Sequence, residues 1–269
     1  MLKPLNYTIE VGMSLACFYP MEPEFAVHKA ASLGMRVCEI FLNTYSELDD
    51  AYLHKLRLLC DQKGLRVYSI HPFTSALEHY MFFSPYPRRV ADSLSFYERY
   101  ARAAKILGAE VINIHGDRGL GVQRMDEYVQ CVLPLMQLQD KTGVMFSLEN
   151  VYYNSVNDPK FVSELKKRIP EARFTLDIKQ ACKGGQNPYR LAEAMGESLV
   201  NFHVNDRTDE AVCLLPGFGS IDYDKLDHIL KTIKYTGPAL IEVYSDNFQS
   251  LDDISRSKKF LEEKFSLAN

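Results

Sequence analysis

Residues 111–149 contain one complete strand–helix–strand unit, and they read VINIHGDRGLGVQRMDEYVQCVLPLMQLQDKTGVMFSLE. The β-branched residues at the start predict a strand that ends at His115. The amphipathic run that follows predicts a helix up to Gly143, because glycine suits the left-handed residue after a helix. The last six residues predict a second strand, which ends at Glu149. Two successive strands joined through a helix pair in parallel.

The same unit recurs along the whole chain. The candidate strands are YTIEVGM (from Tyr7), VCEIF (from Val37), RVYSIH (from Arg66), VINIH (from Val111), VMFSLE (from Val144), FTLDI (from Phe174), LVNFHV (from Leu199) and ALIEVY (from Ala239). Other clear helix candidates end at Gly64, Gly108 and Gly237. The number of units and the length of 269 residues match a (β/α)₈ barrel.

A doubly wound open sheet is the competing architecture. Such a sheet usually carries a glycine-rich phosphate loop after its first strand. Here the first strand is followed by MSLACFYPMEPE, which contains no glycine. We therefore predict an α/β protein, a (β/α)₈ TIM barrel with a single domain over residues 1–269. Its longest irregular segment follows the third strand, from Pro72 to about Arg89, and is expected over the barrel mouth.

The composition is that of an ordinary globular protein. Hydrophobic residues make up 46% and charged residues 25%, which excludes disordered, collagen-like and coiled-coil chains. The formal net charge of −4 provides no broad attraction to phosphate backbones, so a nucleic-acid partner is not expected. The six cysteines are far apart, which excludes a Cys-x-x-Cys site.

No apolar segment is long enough to predict a membrane span. The first twenty residues include Glu10 and lack the apolar core of a signal peptide. We therefore expect a cytoplasmic protein with free cysteines and no membrane partner.

Potential metal ligands mark the ends of seven of the eight predicted strands. They are Glu39, His71, His115, Glu149, Asp177, His203 and Glu242. The residues immediately before them are all apolar: Cys38, Ile70, Ile114, Leu148, Leu176, Phe202 and Ile241. Because side chains alternate along a strand, this pattern points the seven ligands into the barrel. The carboxyl ends of barrel strands build the active site.

The positions two residues before the ligands describe the layer below. Five of the seven are small and polar: Ser69, Asn113, Ser147, Thr175 and Asn201. Such residues suit a layer of hydrogen bonds under a charged site. Three histidines and four carboxylates on one rim require a compensating cation, so the pattern predicts a bound metal. Glu39 is open to two interpretations, a substrate contact or a structural ion pair.

Five motifs carry a family resemblance. They are Ser-Leu-Glu-Asn (147–150), Thr-Leu-Asp-Ile-Lys-Gln (175–180), Phe-His-Val-Asn-Asp (202–206), Leu-Pro-Gly-Phe-Gly-Ser-Ile-Asp-Tyr (215–223) and Leu-Ile-Glu-Val-Tyr (240–244). In this order they resemble the xylose-isomerase-like TIM barrel superfamily, which includes sugar-phosphate isomerases and epimerases and endonuclease-IV-like enzymes. The resemblance covers nearly the whole chain.

The resemblance implies a divalent metal held by Glu149, Asp177, His203 and Glu242. In members similar to ketose 3-epimerases, the glutamates at positions 149 and 242 also exchange the substrate proton. In endonuclease-IV-like members, histidines matching His71 and His115 bind a further zinc that shares the first glutamate.

Two departures argue against a DNA-repair endonuclease. Gln180 stands where the third-metal site needs a histidine, and no second histidine lies between His203 and Pro216. Gln180 also replaces a histidine that many ketose epimerases place near the substrate, so the particular 3-epimerase assignment stays open.

The sequence thus predicts a metal-dependent carbohydrate isomerase or epimerase that moves a proton beside a carbonyl through an enediolate. Glu149 and Glu242 are the predicted acid/base pair. The ligand set, rich in carboxylates, favours Mn²⁺ or Zn²⁺, with Mg²⁺ and Co²⁺ as alternatives. Alternative functions are an endonuclease-IV-like phosphodiesterase, an inosose-dehydratase-type lyase and a non-catalytic sugar-binding barrel.

Further residues are assigned to the substrate. His71 and His115 either hold a second metal or bind sugar hydroxyls, and Glu39, Gln180 and Arg207 are predicted substrate contacts. The other basic residues of the mouth, Lys179, Lys183, Arg88 and Arg89, could bind a substrate phosphate or carboxylate, but solvent-exposed loop charge is the preferred interpretation. The expected partner is a small carbohydrate, and homo-oligomerisation is possible, since rim aromatics suit either sugar stacking or a subunit interface.

Overall fold

The computed structural model describes residues 8–266, whose eight parallel strands close into a barrel in chain order. The strands are Val11–Ser14 (β1), Val37–Phe41 (β2), Arg66–His71 (β3), Val111–Ile114 (β4), Met145–Glu149 (β5), Arg173–Asp177 (β6), Leu199–Val204 (β7) and Ala239–Ile241 (β8). Pairing of β1 with β8, which sets Gly12 opposite Leu240, completes the ring. The predicted single-domain TIM barrel is confirmed; Tyr7, the predicted start of the first strand, lies outside the described residues.

Helices alternate with the strands around the outside of the barrel. They are Pro23–Ser32 (α1), Asp50–Lys63 (α2), Glu78–Met81 (α3), Pro87–Leu107 (α4), Met125–Thr142 (α5), Pro159–Arg168 (α6), Ile178–Lys183 (α7), Pro188–Met195 (α8), Tyr223–Thr232 (α9) and Leu251–Phe265 (α10). No helix of residues 8–266 is long and apolar enough to cross a bilayer.

Glycines end three of the helices as predicted. Gly64, Gly108 and Gly143 adopt the left-handed conformation directly after α2, α4 and α5. The prediction for α9 was wrong, because this helix ends at Thr232 and not beside Gly237. After α9 a non-glycine residue, Lys234, takes the positive φ of 56°.

The barrel separates two apolar layers. The seven residues that precede the predicted ligands, from Cys38 to Ile241, are at most 1% exposed and pack in the core under the helices. A smaller cluster of Val37, Tyr68, Val111 and Leu240 fills the barrel interior below the site. The predicted alternation therefore holds for the ligands and the residues just before them. Register shifts between β2 and β3 and between β6 and β7 interrupt it lower in the barrel, where Tyr68 joins the interior cluster.

The segment after β3 reaches the barrel mouth, but it is more regular than predicted. It includes α3, and Arg88 and Arg89 already belong to α4. Glu78 is fully buried and accepts hydrogen bonds from the Tyr97 hydroxyl and, at 2.7 Å, from the Gly116 N–H. Burial raises the pKa of Glu78 to about 7. This carboxyl group ties the segment to the loop that follows β4.

Replacing Gly12 by alanine should destabilise the barrel. A Cβ atom there would lie 2.3 Å from the carbonyl oxygen of Val37, closer than van der Waals contact allows. Overpacking of this kind costs about 1–3 kcal/mol. Urea denaturation of Gly12→Ala measures the loss in free energy of unfolding. Lys55→Ala is the control, because Lys55 lies on the exposed face of α2, where such substitutions change stability little. Unchanged stability of Gly12→Ala would contradict the close packing.

Candidate active site

Six of the seven predicted ligands converge at the carboxyl ends of the strands. His71, Glu149 and Asp177 are the last residues of β3, β5 and β6. His115 and Glu242 directly follow β4 and β8, and His203 is the last but one residue of β7. Parallel strands in a closed ring bring these ends to one face of the barrel.

Glu149, Asp177, His203 and Glu242 form the first ligand cluster. One nitrogen or oxygen of each residue lies within 4.8 Å of the corresponding atoms of the others. His203 Nδ1 lies 2.6 Å from Glu242 Oε2 and 3.7 Å from Glu149 Oε1. The structure thus brings together the four residues that the sequence predicts as metal ligands.

His71, His115 and Glu149 form a second cluster beside the first. The Nε2 atoms of the two histidines are 3.1 Å apart, and they lie 3.7 and 3.5 Å from Glu149 Oε2. Glu149 therefore turns Oε1 toward His203 and Oε2 toward the histidine pair.

Buried polar atoms without a hydrogen-bond partner mark where a cation would fit. Within the described part of the chain, Glu149 Oε2, Glu242 Oε2 and His203 Nδ1 make no well-aligned hydrogen bond, although Glu242 Oε2 lies close to both His203 and Lys179. Burying such atoms unpaired is costly. Three of the four residues of the first cluster thus offer a free ligand atom, and the donor set fits a divalent metal.

Glu39 lies one layer deeper than the ligands and is fully buried. Its Oε2 is 3.1 Å from His203 Nε2, and it accepts hydrogen bonds from Ser69 Oγ (2.7 Å) and Ser14 Oγ (3.1 Å). The prediction that Glu39 contacts substrate is therefore corrected. It stands in the middle of β2, below His203, and holds the His203 ring so that Nδ1 faces the ligand cluster.

The predicted layer of small polar side chains surrounds Glu39. Asn113 donates to Glu39, Thr175 Oγ1 donates to Asn113 Oδ1 at 2.7 Å, and Asn201 Nδ2 donates to the same oxygen at 3.1 Å. Ser147 and Thr175 join through their hydroxyls at 2.7 Å. This network satisfies the buried polar groups under the ligands and fixes their positions.

Lys179 was predicted as an exposed loop charge, and this was wrong. It is only 5% exposed. Its ammonium group pairs with Asp177 and lies 3.2 Å from Glu242 Oε2. Lys179 is buried because α7 begins directly after β6. Asp177 Oδ1 accepts a hydrogen bond from the Gln180 N–H at 3.1 Å at this junction. This turn directs the second helical residue back into the site.

Opposite charges hold the site in its ionised form. Burial would raise the pKa of Glu149 and Glu242, but His115 beside the first and His203 beside the second hold both values below the ordinary one. Burial would lower the pKa of Lys179, but Asp177 and Glu242 raise it well above its usual value. Glu149, Glu242 and Lys179 are therefore charged at neutral pH, whereas burial outweighs the nearby Lys179 and raises the pKa of Asp177 above its ordinary value.

A pocket of about 470 Å³ opens above the two clusters. Its wall comprises Ala16, Tyr19, Phe41, Asn43, His71, Phe73, Ser75, His115, Glu149, Lys179, Gln180, Glu242, Val243 and Tyr244. The lining combines charged and amide groups with aromatic rings, and the Phe41 ring lies 5.0 Å from the His71 ring between centres. Pockets of this size and mixed lining bind small organic molecules.

Of two predicted substrate contacts, Gln180 and Arg207, one lines this pocket and the other does not. Gln180 lines it, and its Oε1 accepts from the Tyr152 N–H at 3.2 Å. Arg207 does not line it, which corrects the prediction. Arg207 pairs with Asp209 at 2.9 Å and borders a separate depression beside Cys182. The loop after β7 carries it away from the ligand clusters.

Two asparagines support Asp177, and the sequence analysis missed their role. Asn150 accepts from the Asp177 N–H at 2.7 Å and donates to its carbonyl oxygen at 2.9 Å. Asn205 Nδ2 donates to Asp177 Oδ1 at 3.1 Å. Asn150 directly follows the predicted ligand Glu149, and Asn205 lies two residues after the predicted ligand His203. This closeness in sequence was the signal that could have indicated their role.

Comparisons with known proteins agree with this fold. A family model described as "Xylose isomerase-like TIM barrel" matches residues 27–264. An uncharacterised protein of Mycobacterium leprae is 23% identical over 270 residues, covering 90% of this chain and 91% of its own. An uncharacterised protein of Mycobacterium tuberculosis (strain H37Rv) is 22% identical over 274 residues, covering 91% and 92%.

Solved structures of sugar epimerases share the architecture. D-psicose 3-epimerase from Clostridium cellulolyticum H10, solved with D-tagatose, has a TM-score of 0.73 at 18% identity and 95% coverage of both chains. A D-tagatose 3-epimerase-like protein has 0.76 at 20% identity, covering 95% of this chain and 97% of its own. The 3-keto-D-glucoside 4-epimerase from E. coli has 0.73 at 17% identity, covering 95% and 99%.

Replacing Glu39 by glutamine should weaken metal binding while the protein stays folded. The amide keeps the size of the side chain but removes the charge that orients His203, and loss of such a partner lowers metal affinity about 10–100-fold. Titration calorimetry with Mn²⁺ measures the change. Glu110→Gln is the control, because Glu110 is exposed beside Arg66 at the opposite end of the barrel. Equal affinities of the two variants would contradict the role.

Proposed function

Because the chain belongs to the xylose isomerase-like TIM barrel family, we propose that it is a metal-dependent isomerase or epimerase of a sugar or a related keto compound. One observation carries the proposal: Glu149 and Glu242 both line one pocket and share a cluster of unpartnered ligand atoms. Epimerases of D-psicose and of a 3-keto-D-glucoside have the same fold, which supports this reaction class.

Glu149, Asp177, His203 and Glu242 would hold the metal. When bound, a divalent cation supplies Lewis acidity that polarises a carbonyl oxygen of the substrate. Three carboxylates and one imidazole favour Mn²⁺ or Zn²⁺, with Mg²⁺ and Co²⁺ as alternatives. His203 suits this role because Glu39 engages Nε2 and leaves Nδ1 toward the cluster.

Glu149 and Glu242 would move the substrate proton. They stand on β5 and β8, three strands apart, so they reach a bound sugar from different sides. One carboxylate removes the proton from the carbon beside the carbonyl. The other glutamate, once it has taken up a proton from solvent, returns that proton to the enediolate, and the first then releases its own proton to solvent. Return on the opposite face inverts that carbon. The lowered pKa values keep both glutamates in the carboxylate form, which is the form that can accept a proton.

Other residues of the pocket would bind and orient the substrate. Gln180, Asn43 and the imidazoles of His71 and His115 offer hydrogen bonds to hydroxyl groups. Phe41 and Phe73, which line the same pocket, would pack against the carbon skeleton and exclude water.

Hydrogen exchange tests the reaction class directly. Ketoses, keto-inositols and hydroxypyruvate are incubated with the protein and Mn²⁺ in D₂O, and deuterium wash-in is followed by NMR. We expect exchange at the carbon beside the carbonyl with at least one of these compounds. No exchange with any of them, in the presence of any of the four metals, would contradict the proposal.

Neutral variants of the two glutamates should abolish this exchange. Glu149→Gln and Glu242→Gln keep a hydrogen-bonding side chain but cannot accept the proton, so we expect the rate to fall at least about 100-fold. Glu197→Gln is the control, because Glu197 is exposed and pairs with Lys234 away from the pocket. Exchange that persists in both site variants would contradict the assigned roles.

The second cluster favours one alternative, an endonuclease-IV-like phosphodiesterase. His71, His115 and Glu149 could hold another metal ion, as two-metal hydrolases require. The third-metal ligands of that class are missing, since Gln180 replaces one of them and no second histidine follows His203 before Pro216. Cleavage of an abasic-site DNA duplex at low enzyme concentration would reverse our preference. An inosose-dehydratase-type lyase would also remove a proton beside a carbonyl. The keto-inositols in the hydrogen-exchange screen test this alternative.

Metal counting distinguishes the two roles of the histidine pair. We expect about one metal ion per chain by native mass spectrometry, because proton transfer through an enediolate needs only one. His71→Asn should leave this count unchanged, whereas His203→Asn should reduce it. Two ions per chain, one of them lost in His71→Asn, would show a second metal site instead.

A further inference from the structure

The ammonium group of Lys179 occupies a position among the ligands of the first cluster. It pairs with Asp177 Oδ2 and lies 3.2 Å from Glu242 Oε2. Both carboxylates belong to the four residues that would hold the metal. The Lys179 ammonium group therefore contacts two of the carboxylates that a divalent cation would bind.

The two cations need the same oxygen of Asp177. Oδ1 already accepts hydrogen bonds from the Gln180 N–H and from Asn205 Nδ2, both at 3.1 Å. Oδ2, the oxygen that Lys179 uses, is the one that remains for a metal. Like charges at bonding distance from one oxygen repel each other strongly at a buried site. Lys179 and a bound metal therefore exclude each other at Asp177.

Open space for a displaced ammonium lies on the pocket side. Lys179 lines the pocket, and its Nζ lies 5.8 Å from the centre of the Tyr244 ring. An ammonium above an aromatic face is attracted by the ring. Movement toward Tyr244 would keep the charge partly compensated after it leaves the carboxylates.

We propose that Lys179 is a built-in counter-ion of the metal site, which neutralises Asp177 and Glu242 in the metal-free protein and moves into the substrate pocket when a metal binds. This inference rests on the proposed function only in taking these residues as metal ligands. Metal loading thereby places a positive charge beside the bound substrate. The metal also binds more weakly than its ligand set alone would allow.

Titration calorimetry with Mn²⁺ alone, without substrate, tests the competition. Lys179→Met removes the ammonium but keeps much of the apolar stem, and we expect at least tenfold tighter Mn²⁺ binding than in the wild type. Lys183→Met is the matched control. It lies on the same helix and carries the same charge, but its ammonium lies 4.1 Å from the centre of the Tyr152 ring. We expect its affinity to stay within about twofold of the wild type.

Thermal unfolding provides a second readout that also checks folding. Without metal, Lys179→Met leaves Asp177 and Glu242 uncompensated, so its melting temperature should fall below that of Lys183→Met. Mn²⁺ should then raise the melting temperature of Lys179→Met by more than that of the wild type. Lys179→Gln, which keeps a polar end, should behave in the same direction.

Two results would overturn the inference. One is Mn²⁺ affinity in Lys179→Met that is unchanged, weaker or shifted equally in Lys183→Met. The other is a crystal structure of the Mn²⁺-loaded protein in which Lys179 Nζ still pairs with Asp177 Oδ2. These measurements need no substrate, so a failed exchange screen would remove the proposed reaction without deciding this inference.

Discussion

Three buried carboxylates at one rim of the barrel impose the constraint on which the site depends. Glu149, Asp177 and Glu242 lie within a few ångströms of one another, and carboxylates this close require positive charge. In the metal-free protein that charge comes from His203 and Lys179. A divalent cation would provide it instead at the ligand atoms of Glu149, Asp177, His203 and Glu242, which lie within 4.8 Å of one another.

The polar layer below the ligands holds this charge cluster in place. Glu39 engages His203 from below, and hydroxyl and amide groups from four strands, those of Ser14, Ser69, Asn113 and Asn201, surround Glu39. The rest of the interior is closed by a small apolar cluster around Leu240. From the bottom of the barrel to its rim, the inward-facing positions of a strand are therefore apolar residues, then small polar residues, then ligands. The polar layer holds the ligands in place and leaves them little freedom to move.

Much of the site follows from the strand pattern, and some of it does not. The ligands and the polar layer below them could be predicted because strand periodicity is local and each ligand follows an apolar residue. Lys179 could not, because its direction depends on a helix that begins one residue after Asp177. The depth of Glu39 depends on where β2 ends relative to its neighbours, and the distance of Arg207 depends on the path of a loop.

The sequence by itself determined the barrel, its single-domain organisation and the identity of the residues at its rim, because hydrophobic periodicity and strand-end chemistry are written in consecutive residues. Only the tertiary structure decided which of those residues meet. Three arrangements join segments far apart in the chain. They are the two clusters that share Glu149, the contact of Glu39 with His203, and the position of Lys179 between Asp177 and Glu242. Their distances follow from closure of the ring, in which strand register and helix starts set where each side chain lies.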